Sequence, residues 1–109
     1  MRNIKKIVEI NGINTSDLKV LSKEEMDELF KKFKEGDTQA KEKIATGNLR
    51  LVLSIIKKYN NGKNDMNDLF QIGCVGLMKA IENFDSSFNC LFSTYAVPLI
   101  LGEVKRYIR

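Results

Sequence analysis

The sequence predicts an all-α fold, a compact bundle of about five helices, and three observations support this prediction. Lys, Glu, Leu, Ile and Met, which favour helices, make up much of the chain. Only one proline and seven glycines are present, which is few for a turn-rich β fold. Apolar residues recur at helical spacing in most of the chain after residue 20. The 109 residues, 43% of them hydrophobic, suit one domain with a modest core.

The sequence predicts a flexible N-terminal arm over residues 1–20 and the helical domain over residues 21–109. The arm shows short alternation in IKKIVEI and then Asn, Gly, Thr and Ser, without a core of its own. The first helix is predicted from Ser22 to Lys34, because Ser22 and Glu25 can form a capping box. Gly36 is placed to end that helix.

The second and third helices follow without a long connection. Asp37 is a suitable N-cap for a short helix through Ile44 that ends at Gly47. A third helix is predicted to begin near Asn48, with apolar residues at positions 49, 51, 52, 53, 55 and 56. This is too many for one stripe, so we expect a helix that is buried on most sides and central in the bundle.

The fourth helix is predicted to start at Asn64 or Asp65. Its expected apolar face consists of Leu69, Ile72, Val75, Met78 and Ile81. Gly73 and Gly76 each cost roughly 1 kcal/mol relative to alanine inside a helix. We therefore expect another backbone to approach this helix closely at the two glycines.

The fifth helix contains Pro98, which removes a backbone donor and clashes with the preceding turn of a helix. Ser93 is a suitable N-cap, with Phe92 as the hydrophobic residue before it. The expected result is a kink or a late start, with regular helix from about Pro98 to Arg109.

Composition limits the classes of function. No histidine, glycine-rich phosphate loop or Cys/His set at metal-binding spacing is present, so we expect neither an enzyme nor a metal or cofactor site. Two distant cysteines, no signal peptide and no apolar run near ~20 residues predict a reduced, cytoplasmic protein without a membrane segment. The net charge of +4 permits a polyanionic partner. On spacing alone, however, the basic residues at the chain end are better explained as complementing a helix dipole.

Three segments resemble consecutive parts of the second conserved region of bacterial sigma-70 family factors. They are GNLRLVLSIIKKY, DLFQIGCVGLMKAIENFD and FSTYAVPLILGEVKRYIR, and the resemblance covers roughly Leu21 to Arg109. VEINGINTSDLKVL together with YAVPLILGE is similar to the sporulation branch of the family, most of all the forespore, sigma-G type. The resemblance implies promoter −10 recognition, DNA melting and core RNA polymerase binding in sporulation-specific transcription initiation. Family members continue beyond this region, so we expect a chain that is truncated at its C-terminal end.

The resemblance also implies which residues contact the single-stranded non-template strand of the −10 element. Tyr95 is the implied stacking platform for the first flipped base, and stacking of this kind is worth ~1–3 kcal/mol. The residues implied to shape its pocket are Phe84, Asp85, Phe92 and Thr94. The contacts implied elsewhere on the DNA are Asn48, Arg50 and Leu51 at the downstream end and Lys105 and Arg106 at the upstream duplex edge. From the residue pattern alone, Phe84 and Phe92 are typical core aromatics.

A second implied surface faces the polymerase. The resemblance places the helix with DLFQIGCVGLM against the clamp coiled coil of core RNA polymerase, with contacts from Asp68, Gln71, Cys74 and Met78. The other interpretation is a solvated helix face on which Cys74 is a small buried hydrophobe. For the whole protein, the alternative is an interaction module, either held by an anti-sigma factor or acting as a decoy that occupies polymerase without melting DNA.

The sequence departs from the family pattern at the positions that open the duplex. Primary members carry two tryptophans where this chain has Pro98 and Leu99. Leu91 stands where many members have a basic residue, and Asn89 and Cys90 also differ from the usual pocket residues. The resemblance therefore implies melting that is weaker or more selective for its promoter.

Overall fold

The computed structural model describes residues 20–60, 62–85 and 87–108. Within them it contains five α-helices: α1 Lys23–Lys34, α2 Thr38–Gly47, α3 Leu49–Tyr59, α4 Met66–Asn83 and α5 Phe92–Ile108. The predicted all-α fold is confirmed. The arm predicted over residues 1–20 lies outside the described residues except for Val20, and so does Arg109. In the described ranges, no helix has the length and apolar character needed to cross a membrane.

Local capping sets the start of three helices, as predicted. The hydroxyl of Ser22 accepts the amide of Glu25 at 3.1 Å, and the Glu25 carboxylate accepts the amide of Ser22 at 2.9 Å. Asp37 caps α2 and Asp65 caps α4, each by accepting backbone amides of the first turn. Gly36 follows α1 with a φ of 106°, in the left-handed region that glycine adopts freely. These short-range contacts turn the chain from one helix to the next.

The most extensive contact in the described domain joins α4 and α5. A Cβ atom built on Gly76 would lie 2.6 Å from the Cα of Ile100 and 2.7 Å from the carbonyl oxygen of Leu99. The close backbone approach expected at this glycine is therefore confirmed. At Gly73 the nearest neighbour is instead a side chain, because an added Cβ would lie 2.7 Å from Cγ1 of Val52.

The buried face of α4 differs from the predicted one at Val75, which is 45% exposed. Leu69 and Ile81 are fully buried as expected, but the chain between them buries Gly73 and Leu77. A helix turns by about 100° per residue, so apolar residues spaced by three alone drift around it. Val75 lies roughly 120° from Leu69 on one side of the helix and Ile81 roughly 120° on the other, and the side that carries Val75 faces solvent.

Helix α3 was predicted to be buried on most sides and central in the bundle, and this prediction is only partly correct. Its buried residues are Leu49, Val52, Leu53, Ile55 and Ile56, whereas Leu51 is half-buried. An exposed polar side runs along the helix and consists of Arg50, Ser54, Lys57 and Lys58. The central position expected for α3 belongs to α4, which packs on α2, α3 and α5 and shares the largest contact with α5.

Helix α5 begins earlier than predicted. It starts at Phe92 and runs through Pro98 without interruption, and the amide of Tyr95 donates to the carbonyl of Leu91 at 3.2 Å. Ser93 therefore lies inside the first turn rather than capping it. Pro98 removes one backbone hydrogen bond, but Phe92 is buried against the core and holds the first turn in helical form.

Candidate nucleic-acid interface

Five aromatic rings form a continuous cluster around Phe84, the residue that follows α4. Its ring centroid lies 5.1 Å from Phe30 of α1, 5.3 Å from Phe92 and 5.5 Å from Tyr95 of α5. Phe88, in the connection before α5, lies 5.6 Å away in an edge-to-face arrangement. Such pairs contribute about 0.5–1.5 kcal/mol each beyond the burial of their area. The cluster thus joins α1, α4 and α5 at one end of the bundle.

Exposure divides the cluster into a buried part and a surface part. Phe30, Phe84 and Phe92 are 2%, 8% and 6% exposed. Phe88 is 41% exposed, and Tyr95 is half-buried. The buried rings match the interpretation of Phe84 and Phe92 as core aromatics, and they support the surface rings from below. Phe88 and Tyr95 are thus the two rings of this cluster with the most exposed aromatic surface.

Asp85 fixes the start of the loop that carries Phe88. Its carboxylate accepts the amide of Ser87 at 2.9 Å, and its carbonyl oxygen accepts the amide of Phe88 at 2.8 Å. The ammonium of Lys34 lies 3.1 Å from the same carboxylate. The hydrogen bond from Ser87 first, and then Lys34, hold the pKa of Asp85 below its usual value. The carboxylate therefore orders the loop beside Tyr95 rather than standing free.

A cleft of ≈ 580 Å³ opens beside the cluster, between the start of α1, the start of α3 and the connection to α5. Phe84, Phe88 and Phe92 line it, together with Asn48. The side-chain amide of Asn48 donates to the carbonyl of Ile44 at 2.7 Å, which fixes its orientation. Of the three residues implied at the downstream end of the strand, Asn48 is the one that lines this cleft. Arg50 is exposed and Leu51 half-buried, and neither lines it.

The far end of α5 carries the two predicted basic contacts, which differ in their surroundings. Lys105 and Arg106 are both exposed. Arg106 pairs with Glu103, which also accepts the ammonium of Lys79 at 2.7 Å. Lys79 first, and then Arg106, hold the pKa of Glu103 below its usual value. Thr94, by contrast, lies exposed in the first turn of α5, next to Tyr95.

A second basic side chain joins Lys105 on the surface. The ammonium groups of Lys105 and Lys58 each lie 5.7 Å from the ring centroid of Tyr59. Tyr59 is 38% exposed at the end of α3. Contacts within about 6 Å of a ring are attractive cation–π interactions. Two positive charges from separate helices thus converge on one exposed ring, which we call the α3–α5 basic patch (Lys58, Tyr59 and Lys105).

The outward side of α4 holds the residues implied to contact the polymerase. Asp68 and Gln71 are exposed, and Val75 extends this face. Cys74 is 3% and Met78 9% exposed, so these two side chains offer little surface to a partner. Burial raises the pKa of the Cys74 thiol to about 12. Its surroundings match the interpretation as a small buried hydrophobe.

Sequence reasoning missed several surface residues. They are Phe88 in the aromatic cluster, Lys58 and Tyr59 in the α3–α5 basic patch and Val75 on α4. A local signal existed for Phe88, since Asp85 and Ser87 form an Asx turn that directs the following residue. The basic patch had no comparable signal, because Lys58 and Lys105 meet only after α3 and α5 have packed.

The fold and these surfaces define a small all-α domain with an aromatic cleft near the start of its last helix and a basic patch near the end of that helix. Residues 44–109 match the family described as Sigma-70 region 2. The chain belongs to this family, and the resemblance drawn from its sequence is confirmed.

Individual relatives show which members of this family the chain is similar to. The chain is 58% identical over 103 residues to the RNA polymerase sigma-G factor of Bacillus subtilis, covering 94% of this chain and 40% of that protein. It is 57% identical over 102 residues to the RNA polymerase sigma-G factor of Clostridium acetobutylicum, with the same coverage of 94% and 40%. The sigma-F factor of B. subtilis is 43% identical over 102 residues, covering 94% of this chain and 38% of the relative. The chain thus spans about 40% of the length of these curated relatives, and the similarity to the sigma-G type is confirmed.

Proposed function

We propose that this domain recognises and melts the promoter −10 element as part of a sporulation sigma factor in the cytoplasm, and that it binds core RNA polymerase. The non-template strand is held with at least one base flipped out of the stack. The chain contributes binding groups and no catalytic ones. The names of the sigma-G relatives, which refer to RNA polymerase, support the polymerase partner.

The observation that carries the proposal is the position of Tyr95. Its ring is half-buried on Phe84, which fixes it, and the remaining surface is open at the start of α5. An aromatic face that is held rigid from below can stack on an unpaired base without first losing side-chain freedom. Exposed Thr94 beside it and the loop ordered by Asp85 complete the surroundings of the base.

Two further surfaces support the other parts of the proposal. Lys105, ten residues beyond Tyr95, lies about 15 Å further along α5, which suits contact with the DNA backbone upstream of the captured base. Asp68 and Gln71 project from α4, and we propose them as contacts to the clamp coiled coil. We also propose an anti-sigma factor as a partner of this domain, and it would bind by covering one of these surfaces.

Base capture is tested by comparing two single strands of −10 sequence, one intact and one abasic at the first flipped position. Tyr95→Ala should bind the intact strand roughly tenfold to hundredfold more weakly, because removal of a stacked ring costs on the order of 1–3 kcal/mol. The same variant should bind the abasic strand nearly as well as the unchanged protein does. Tyr95→Phe keeps the ring and should bind both strands normally.

Tyr107→Ala is the matched control for this comparison. Tyr107 is 43% exposed on the same helix but takes no part in the aromatic cluster, so its removal should leave the base dependence intact. Equal weakening of both strands by Tyr95→Ala, or no weakening of either, would contradict base capture. The interaction-module alternative, with an anti-sigma factor as the partner, would then gain support.

A further inference from the structure

Glu103, two residues before Lys105 on α5, binds two cations through one carboxylate oxygen. Its Oε2 atom accepts the ammonium of Lys79 on α4 at 2.7 Å and also the guanidinium of Arg106 on α5. The side chain of Glu103 is 16% exposed, whereas those of Lys79 and Arg106 are 53% and 62% exposed. The carboxylate is thus the inner member of a group that we call the Glu103 cluster (Lys79, Glu103 and Arg106).

The charges of the Glu103 cluster partly cancel within the domain. The two ion pairs hold the pKa of Glu103 below its usual value, so the carboxylate is ionised at neutral pH. Two positive charges and one negative charge leave the cluster with a net charge of +1. Ion pairs between exposed side chains contribute little to stability, so fold stability is a weak explanation for this arrangement.

The neighbouring Lys105 has different surroundings. Its ammonium lies 5.7 Å from the ring centroid of Tyr59 on α3. Because a tyrosine ring carries no net charge, this contact leaves the positive charge of Lys105 uncompensated. Arg106 instead contacts the Glu103 carboxylate, which compensates part of its charge. Of the two basic residues implied at the upstream duplex edge, Lys105 therefore offers a full charge to DNA, and Arg106 does not.

This difference bears on how tightly the domain binds DNA of any sequence. Contacts between cations and phosphates supply nearly all of the affinity for non-specific DNA and make that affinity depend on salt. They carry no sequence information directly, whereas contacts to bases do. A carboxylate that compensates cations on a DNA-facing surface therefore lowers non-specific affinity and leaves the base contacts in place.

We propose that Glu103 is a specificity-determining residue, which restrains Arg106 and Lys79 so that the domain binds non-promoter DNA weakly. Tight binding then depends on contacts to bases rather than on charge alone. Glu103 touches no base in this proposal and acts through the two cations. The inference rests on the proposed function, because it requires this end of α5 to face DNA.

The test measures binding of Glu103→Gln to a non-promoter duplex and to a forked promoter fragment. Glutamine keeps the size of the side chain and an acceptor oxygen but removes the negative charge. Affinity for the non-promoter duplex should rise about fivefold to tenfold at ~0.1 M salt, and the slope of log affinity against log salt should steepen by about 0.9 for each cation that gains a phosphate. Affinity for the promoter fragment should rise less, because base contacts fix the position of the domain on that DNA.

Two other substitutions at the same position separate charge from shape. Glu103→Ala removes both the charge and the acceptor oxygen, and it should show the same gain on the non-promoter duplex. Glu103→Asp keeps the charge and should stay close to the unchanged protein in its ratio of promoter to non-promoter affinity. Circular dichroism establishes that each variant is folded.

Glu82→Gln is the matched control. Glu82 on α4 pairs with Lys41 on α2, so this variant also removes one negative charge from an ion pair between two helices. It changes the net charge of the domain by the same amount as Glu103→Gln does, but it should leave the salt slope and the affinity ratio unchanged. An equal gain in the two variants would show a general effect of net charge and would overturn the role of Glu103.

Arg106→Ala, made in the unchanged protein and in Glu103→Gln, tests the restraint itself. The loss of affinity for the non-promoter duplex should be several-fold larger in the Glu103→Gln background, where Arg106 is released. Equal losses in both backgrounds, or no gain of affinity in folded Glu103→Gln, would overturn the proposal. The proposed function would still stand if Lys105→Ala reduced the salt slope and Tyr95→Ala showed its base-dependent loss. Absence of both effects would remove the proposed function itself.

Discussion

The backbone at Ile100 passes so close to Gly76 that α4 and α5 touch without an intervening side chain, and a methyl group on Gly76 would lie 2.6 Å from the Cα of Ile100. Atoms of the main chain cannot rotate away as a side chain does. Gly76→Ala should therefore push the two helices apart and lower the free energy of unfolding by about 1–3 kcal/mol. Urea denaturation of the purified chain measures this loss.

Gly102 on α5 provides the opposite case for the same measurement. Apart from its chain neighbours and the nearby backbone of its own helix, no atom of the described residues lies within 4 Å of a Cβ built at that position. Gly102→Ala should therefore gain helix propensity without a clash and raise the free energy of unfolding by up to about 1 kcal/mol. Equal free energies of unfolding for Gly76→Ala and Gly102→Ala would contradict the close backbone packing of α4 on α5.

The two cysteines should react very differently with a thiol reagent. Cys90 is exposed, whereas Cys74 is buried and burial raises the pKa of its thiol to about 12. The thiolate is the reacting species, so the native protein should take up one label at mildly alkaline pH and a second only in denaturant. Mass spectrometry after proteolysis identifies the labelled residue. Rapid labelling of Cys74 in the native protein would show that the inner face of α4 is open.

The outward face of α4 should bind core RNA polymerase independently of the DNA site. Asp68→Ala combined with Gln71→Ala should weaken binding to purified core enzyme by at least about tenfold, because both exposed side chains are lost from one contact surface. The double variant should still bind the single strand, and Tyr95→Ala should still bind core enzyme. Undiminished core binding by the folded double variant would move the polymerase contact to another face.

The α3–α5 basic patch should contribute to DNA affinity through charge alone. Lys105→Ala and Lys58→Ala should each reduce the slope of log affinity against log salt by roughly 0.7–0.9 on a forked promoter fragment, as expected for the loss of one phosphate contact. Each of the two substitutions should weaken binding of the intact strand and of the abasic strand to the same extent. Lys32→Ala removes a lysine that pairs with Glu28 on α1 and should leave the slope unchanged. Equal slopes for all three variants would exclude the patch from DNA contact.

The parts of the fold that the sequence predicted well depend on residues close together in the chain. Ser22 and Glu25 are three positions apart, so their capping box can be recognised without knowing the rest of the structure. Asp37 and Asp65 cap their helices through equally local bonds. The exposure of Val75 was not predictable in this way, because it depends on which side of α4 receives α5.

In the candidate site, too, some features could be predicted from the sequence and others depend on how the chain packs. Tyr95 was predicted from the family resemblance, whereas its contact with Phe88 depends on a loop whose course is set by Asp85 and Lys34. The early start of α5 was mispredicted for a related reason. The local cost of Pro98 was visible in the sequence, but the burial that holds Phe92 in the first turn appears only in the packed domain.

The ring of Phe30 makes the N-terminal limit of the family match a poor place to shorten the protein. Phe30 lies on α1, before the matched residues 44–109, yet it is 2% exposed and packs on both Phe84 and Phe92. Removal of a buried phenylalanine side chain typically costs 3–5 kcal/mol, and a cut at residue 44 would remove the ring together with its whole helix. Phe84, the ring on which Tyr95 packs, would then face water on the side that Phe30 covers. A shortened version that is meant to fold and to keep its aromatic surface should therefore begin no later than the helix cap at Ser22.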